Sequence, residues 1–113
     1  MRAEVVDAVE DVLSRGRDAD EVLRAVVATL VERGGCSWAG ISFVEGDALV
    51  PGPAAGEPDE RRRTTVPVAY RGGRVGELAV DGPVDRALLE RVAELISAHV
   101  LLGWDTGGER WQP

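Results

Sequence analysis

Apolar residues recur with helical spacing in three segments of the chain, which are residues 3 to 14, about 18 to 34 and 85 to 103. Either Asp18 or Asp20 can cap the second segment, and Asp85 can cap the third. Glycine favours helix ends, so Gly34-Gly35 and Gly103 are the predicted stops. The pattern therefore predicts three amphipathic helices, each burying one face.

Between the second and third helices the hydrophobic period changes from about four residues to two. The strand-like segments are residues 36 to 44, 48 to 50, 66 to 70 and 75 to 81. The last two flank Arg71-Gly72-Gly73-Arg74, which predicts a hairpin turn. Residues 51 to 65 are rich in proline, glycine and charge, and they are predicted to form an exposed loop.

This order of elements predicts a single α+β domain over residues 1 to 103, with an antiparallel sheet and the helices packed on one face. The residues expected to face the helices are Ala39, Ile41, Phe43, Leu78 and Val80. The residues expected on the opposite face, where a ligand could bind, are Trp38, Ser42, Glu77 and Asp81. The tail, residues 104 to 113, is expected to be either mobile or docked through its two tryptophans.

Composition narrows the possible functions. The net charge is −7, which disfavours nucleic-acid binding, and the basic run Arg61-Arg62-Arg63 is offset by nearby acids. The chain has one cysteine and one histidine, Cys36 and His99, so we expect no intramolecular disulfide, no metal and no cofactor. His99 is expected at the core boundary with a hydrogen-bond partner. The acidic N-terminus and the short apolar runs predict a cytoplasmic protein without a membrane span.

Five segments carry a recognisable pattern, namely Ser37-Trp38-Ala39-Gly40-Ile41-Ser42, Glu45 to Pro53, Gly56-Glu57-Pro58, Val66-Pro67-Val68 and Arg74 to Asp81. They resemble free-methionine (R)-sulfoxide reductases, which are small single-domain proteins of the GAF family. The final helix, which opens with Asp85-Arg86-Ala87-Leu88-Leu89, is also similar to GAF C-terminal helices. The resemblance covers about residues 18 to 103 and implies a GAF-like fold.

The thiols of that family are missing from the matching positions. In the family, a cysteine follows the glycine-proline segment and a long excursion carries further catalytic cysteines. Here Glu60 occupies the corresponding position, and seven residues separate Pro58 from Val66. Sulfoxide reduction needs a nucleophilic thiolate, and Cys36 lies before the strand, outside the motif. The resemblance therefore implies a GAF-like domain without the catalytic loop and not an enzyme. Cys36 is interpreted as a small residue that enters a half-buried strand.

The expected pocket also departs from the family. Arg63 replaces an acid before the next strand, Ser42 replaces an aromatic residue, and Ala79 replaces one acid of a late pair, of which Asp81 remains. The resemblance places Trp38 on the pocket side, where its ring could stack on a ligand or simply cover the sheet. Trp38, Ser42 and Asp81 are the predicted ligand-binding residues.

Three functions remain open at this point. The first is a non-catalytic sensory or regulatory domain in bacterial signalling that binds a small molecule or a protein partner. The second is a degenerate sulfoxide reductase that uses Cys36, and the third is an interaction scaffold without a ligand. Because GAF domains commonly pair through terminal helices, and because the apolar stripe of residues 3 to 14 is difficult to bury within one chain, a homodimer is also predicted.

Overall fold

The computed structural model describes the backbone of residues 2–15 and 18–109, and the side chains of residues 4–15 and 18–101. The elements in chain order are helix α1 (Arg2–Arg15), helix α2 (Ala19–Gly34), strand β1 (Trp38–Glu45), strand β2 (Ala48–Gly56), a short 3₁₀ helix (Glu60–Arg62), strand β3 (Arg63–Tyr70), strand β4 (Gly73–Asp81) and helix α3 (Arg86–Glu109).

The four strands form one antiparallel sheet in the order β2-β1-β4-β3. Helix α2 packs on β1 and β2, α3 packs on β3 and β4, and α1 packs on α2 and α3. The predicted inward residues are all buried in the core between the sheet and the helices, namely Ala39, Ile41, Phe43, Leu78 and Val80. The predicted α+β fold with helices on one face is confirmed, and it leaves the other sheet face open.

The helix ends mostly agree with the sequence pattern. The Asp18 side chain accepts a hydrogen bond from the backbone N–H of Glu21, and Gly35 ends α2 in the left-handed region with φ 77°. Asp85 accepts a hydrogen bond from the backbone N–H of Ala87 at the start of α3. The predicted stop at Gly103 is wrong, since α3 continues to Glu109. A glycine inside a helix costs only about 1 kcal/mol and does not by itself end the helix.

The tail prediction changes with that finding. Residues 104–109 continue α3 in the backbone, so the first part of the expected tail is helical. The docking of the Trp104 and Trp111 rings lies outside the residues whose side chains the structure describes.

The predicted loop over residues 51 to 65 is corrected. Strand β2 extends to Gly56 and β3 begins at Arg63, so that only residues 57–62 connect them, half of them in the 3₁₀ helix. Prolines suggested a loop, but β2 and β3 are the two edge strands of the sheet. An edge strand tolerates Pro51, Pro53 and Pro67 because one of its sides needs no hydrogen-bond donors. A register shift between Gly40 and Ser42 adjusts the β1–β2 pairing beside Pro51 and Pro53.

Helix α1 buries much of its apolar stripe within the chain. Val5 and Val9 are in the core, and Val6, Val12 and Leu13 pack against it. The chain therefore buries two residues of this stripe fully and three only in part, and the homodimer stays a prediction. None of the described helices is both long enough and apolar enough to cross a bilayer.

Candidate functional site

The face of the sheet away from the helices contains a concavity of about 300 Å³. Its walls come from all four strands, and its lining residues are Trp38, Gly40, Ile41, Ser42, Pro51, Gly52, Pro53, Ala54, Arg63, Thr65, Glu77 and Ala79. Two of the three predicted ligand-binding residues, Trp38 and Ser42, thus lie where the sequence placed them. Because β2 continues through residues 51–54, a segment expected to be a loop forms one wall.

A row of three polar and aromatic side chains crosses one end of this face. Trp38 on β1 and Arg63 on β3 are both paired in register with Asp81 on β4, which lies between them. Arg63 Nε donates to Asp81 Oδ1 at 2.7 Å, and Arg63 Nη2 donates to Asp81 Oδ2 at 2.9 Å. The backbone N–H of Asp59 donates to Asp81 Oδ2 at 2.6 Å. The strand register and the 57–62 connection together build this charged cluster.

Asp81 does not line the concavity, so the geometry does not support its predicted role as a ligand contact, which stays a prediction. The residue is completely buried, and both carboxylate oxygens already accept hydrogen bonds. The pKa of Asp81 lies below its ordinary value, mainly because Arg63 donates hydrogen bonds to the carboxylate. Burial acts in the opposite direction, and the hydrogen bond from the Asp59 N–H lowers the pKa further. Asp81 is therefore an anion that positions Arg63 and the 57–62 connection.

The Trp38 ring is held in place by its neighbours. A Cβ built on Gly40 would lie 2.4 Å from Trp38 Cη2, so the indole occupies the space where a side chain at position 40 would project. The Arg63 guanidinium stacks over the ring, with its Cζ 4.3 Å from the ring centroid. The predicted stacking of Trp38 on a ligand is thus restricted, because Arg63 already covers a ring face.

Several polar groups in the concavity have no partner among the described residues. The hydroxyls of Ser42 and Thr65 and the indole N–H of Trp38 make no hydrogen bond there. Glu77, by contrast, is engaged in an ion pair with Arg74. These unpartnered groups are the ones available to a bound molecule.

The only cysteine of the chain lies on the other side of the sheet from this concavity. Cys36 is buried in the core cluster between sheet and helices. Burial, and secondarily the charge of Asp81, raises the pKa of the Cys36 thiol, which keeps the thiol protonated at neutral pH. Neither its position nor its protonation state suits it to act as a nucleophile in the concavity.

His99 and the acidic residues do not build a second chemical site. Nδ1 of His99 is buried without a partner among the described residues, contrary to the expected hydrogen bond, and burial lowers the pKa of its imidazole. In the part of the chain that the structure describes, no three His, Cys, Asp or Glu side chains are grouped so that they could hold a metal ion.

A larger groove, of about 450 Å³, lies between α1 and α2. Its walls are mainly charged surface residues, and Arg15 and Asp11 form an ion pair 2.8 Å long within it. The Thr29 hydroxyl in this groove already donates to the backbone carbonyl of Ala25. We place the candidate site on the sheet because the concavity there combines an aromatic ring, a half-buried arginine and unpartnered donors.

The sequence alone did not reveal Arg63 and Thr65 as residues of this site. Both belong to a segment expected to be a loop, and only the pairing of β3 with β4 brings them beside Trp38 and Ser42. The one available signal was the replacement of a family acid by Arg63, which placed an arginine at the edge of the expected pocket.

Comparison with solved structures identifies the fold. The free methionine-R-sulfoxide reductase from Neisseria meningitidis, solved in complex with its substrate, superposes with a TM-score of 0.75 at 18% identity, over 93% of this chain and 91% of that chain. The fRMsr of Staphylococcus aureus, also in complex with substrate, gives 0.72 at 16% identity, over 88% and 95%. The GAF domain of an Acinetobacter phosphoenolpyruvate-protein phosphotransferase gives 0.73 at 13% identity, over 93% and 98%.

These similarities show that the chain has the GAF fold, as the sequence resemblance implied. The structures that share it include both reductases and a GAF domain of another protein class, so the fold alone does not distinguish an enzyme from a binding domain. A scan of protein-family models and a search of curated protein sequences gave no match.

Proposed function

We propose that this chain is a non-catalytic GAF-like sensory or regulatory domain that binds a small molecule in the concavity on the outer face of its sheet, in the cytoplasm of a bacterium. The proposal is carried by three donors, on Trp38, Ser42 and Thr65, that have no hydrogen-bond partner among the described residues and surround an open space of about 300 Å³. Small-molecule sites typically combine an apolar wall with a few convergent polar groups.

The position of the thiol supports a binding role over a reductase role. A sulfoxide reductase needs a thiolate beside the substrate, whereas Cys36 is buried on the opposite side of the sheet with a raised pKa. The alternative, a degenerate reductase, is favoured only by the shared fold. Turnover of free methionine-R-sulfoxide that is present in the wild type and lost in Cys36→Ala would establish the alternative; we expect no turnover in either.

A thermal-shift screen of small metabolites tests the binding role. A ligand at a hundredfold excess over its Kd stabilises the folded state by about 2.7 kcal/mol, which corresponds to a clear rise in Tm. Ala79 lines the concavity, so Ala79→Leu should abolish the shift by filling the space. Ala87 is exposed on α3, and Ala87→Leu, the same chemical change, should leave the shift intact.

Two outcomes would refute the small-molecule role and favour a protein-interaction scaffold. In one, no compound raises the Tm; in the other, Ala79→Leu and Ala87→Leu respond identically to the compounds.

Homodimer formation through the terminal helices is a separate proposal. Sedimentation over a range of protein concentrations tests it directly.

A further inference from the structure

We infer that the concavity takes a small molecule that presents a carboxylate, with Arg63 as the residue that selects for it. This inference rests on the proposed binding function and adds the chemical class of the ligand. It follows from which hydrogen-bonding groups of the concavity are used within the chain and which are left over.

Arg63 has donors in excess of those that Asp81 uses. A guanidinium carries five N–H groups, and Asp81 accepts from Nε and from Nη2. Arg63 Nη1 lies 3.9 Å from the carboxylate of Glu60, beyond hydrogen-bond distance, and the Glu60 side chain is 82% exposed. The end of the fork, formed by Nη1 and Nη2, is therefore left to bind a second planar acceptor, and a carboxylate matches that geometry with two parallel hydrogen bonds.

The remaining free groups also favour an acceptor on the ligand. The indole N–H of Trp38 can only donate, and the hydroxyls of Ser42 and Thr65 can each donate a hydrogen bond without losing an internal one. The carboxylate in the lining, Glu77, is already paired with Arg74. A ligand rich in donors would find the neutral hydroxyls of Ser42 and Thr65 as acceptors, but no carboxylate without a countercharge among the lining residues.

A cationic ligand is disfavoured for an independent reason. The aromatic ring that would attract a cation already carries the Arg63 guanidinium over its face, at 4.3 Å from the centroid. A second cation would be repelled by Arg63 instead of stacking on Trp38. The Arg63–Asp81 and Arg74–Glu77 pairs each balance to zero, and Glu60 adds one exposed carboxylate 3.9 Å from Arg63 Nη1. The site thus offers directed donors and no surplus positive charge, which suits a monoanion better than a dianion.

Three planar probes of matched shape test the inference with the intact chain. Benzoate is anionic, benzamide is neutral and benzamidine is cationic at neutral pH, and all three share one ring size. Each is titrated at constant ionic strength while the ¹⁵N-edited NMR signal of the Trp38 indole N–H is followed, after assignment with Trp38→Phe. We expect a saturable shift with benzoate, at an affinity at least about tenfold above that of benzamidine, because hydrogen bonds between charged partners are the stronger ones.

Variants assign the effect to Arg63. Arg63→Gln/Asp81→Asn removes both charges together and avoids stranding a buried anion; we expect benzoate affinity to fall about tenfold. The matched control, Arg86→Gln/Glu90→Gln, removes an exposed ion pair on α3 and should leave benzoate affinity unchanged. Thr65→Val removes a lining hydroxyl without touching any charge, and a several-fold weaker affinity is expected even where the double variant folds poorly.

The outcomes separate this inference from the proposed function. Stronger binding of benzamidine or benzamide than of benzoate would overturn the carboxylate assignment while leaving a small-molecule site in place. Benzoate binding that is unchanged in both Arg63→Gln/Asp81→Asn and Thr65→Val would also overturn it. If none of the probes shifts the Trp38 signal, the carboxylate inference fails, and the binding function is then judged by the metabolite screen alone.

Discussion

Breaking the Arg63–Asp81 pair from its two sides should have unequal effects on stability. The Asp81 side chain is 0% exposed and the Arg63 side chain is 28% exposed. In Arg63→Gln the carboxylate of Asp81 stays buried without its countercharge, whereas in Asp81→Asn the stranded guanidinium can still be hydrated. Arg63→Gln should therefore lower the free energy of unfolding more than Asp81→Asn does, because Asp81 is the more deeply buried partner.

The magnitudes follow from that asymmetry. Stranding a buried charge costs about 3 to 5 kcal/mol, which is the loss expected for Arg63→Gln. Asp81→Asn loses charge-assisted hydrogen bonds worth about 1 to 3 kcal/mol, and an asparagine oxygen can still accept from the Asp59 N–H. The double variant Arg63→Gln/Asp81→Asn should lose less than the sum of the single losses, since it strands neither charge.

The pH dependence gives a second signature. Arg63 holds the pKa of Asp81 below its ordinary value, so the stability from Asp81 is present above the unfolded value of about 3.9 and is lost as the pH falls through the lower folded pKa. In Arg63→Gln the influence of burial is no longer offset by Arg63, so the pKa of Asp81 should rise from its wild-type value. The deficit of that variant should then shrink on acidification before the wild type begins to lose stability.

Urea unfolding at neutral and mildly acidic pH measures both effects. Arg86→Gln/Glu90→Gln serves as the control, because its exposed ion pair should contribute no more than about 1 kcal/mol. The reasoning is refuted if Asp81→Asn is as destabilising as Arg63→Gln, or if the two losses add without coupling. A pH-independent deficit in Arg63→Gln would contradict the electrostatic explanation in particular.

Three further predictions concern other parts of the fold. Gly40→Ala should displace the Trp38 ring, lower the free energy of unfolding by about 1 to 3 kcal/mol and change the near-UV circular dichroism signal. In the control Gly73→Ala the new Cβ meets no atom closer than 3.7 Å, so stability and the signal should both be unchanged. Because burial lowers the pKa of His99, the unfolded chain takes up a proton first as the pH falls below about 6.5. Stability should thus rise from pH 5 to 7 in urea titrations, and His99→Leu should flatten that rise; an unchanged slope would contradict it. Val9 is fully buried by its own chain, so Val9→Ala should lower the free energy of unfolding by about 1 to 3 kcal/mol at any protein concentration. A loss that depends on protein concentration would show instead that α1 is buried between protomers.

The local elements were predictable because their signals are local. The periodicity of α1 and α2, the Asp18 cap and Gly35 each act over a few residues, and the structure agrees with them. The alternation in β1 and β4 predicted which side chains face the helices, since neighbouring side chains in a strand point to opposite faces. The resemblance to GAF proteins added the arrangement of these elements.

The errors came from residues whose meaning depends on distant parts of the chain. Pro51 and Pro53 indicate a loop when read locally, but β2 is an edge strand and can hold them. Gly103 indicates a helix end, yet α3 continues past it. Asp81 alternates onto the outer face as predicted, but Arg63 and the Asp59 N–H occupy it, and neither is near it in sequence.

The sequence by itself thus determined the helices, the inward faces of the strands, the GAF-like arrangement and the absence of a second cysteine. Only the tertiary structure decided that Cys36 and the concavity lie on opposite sides of the sheet, and that Arg63 stacks on Trp38. The physical reason is that periodicity and capping are set by neighbours within a few residues. A binding site depends instead on strand register, which brings residues 38, 63 and 81 into one row across three strands.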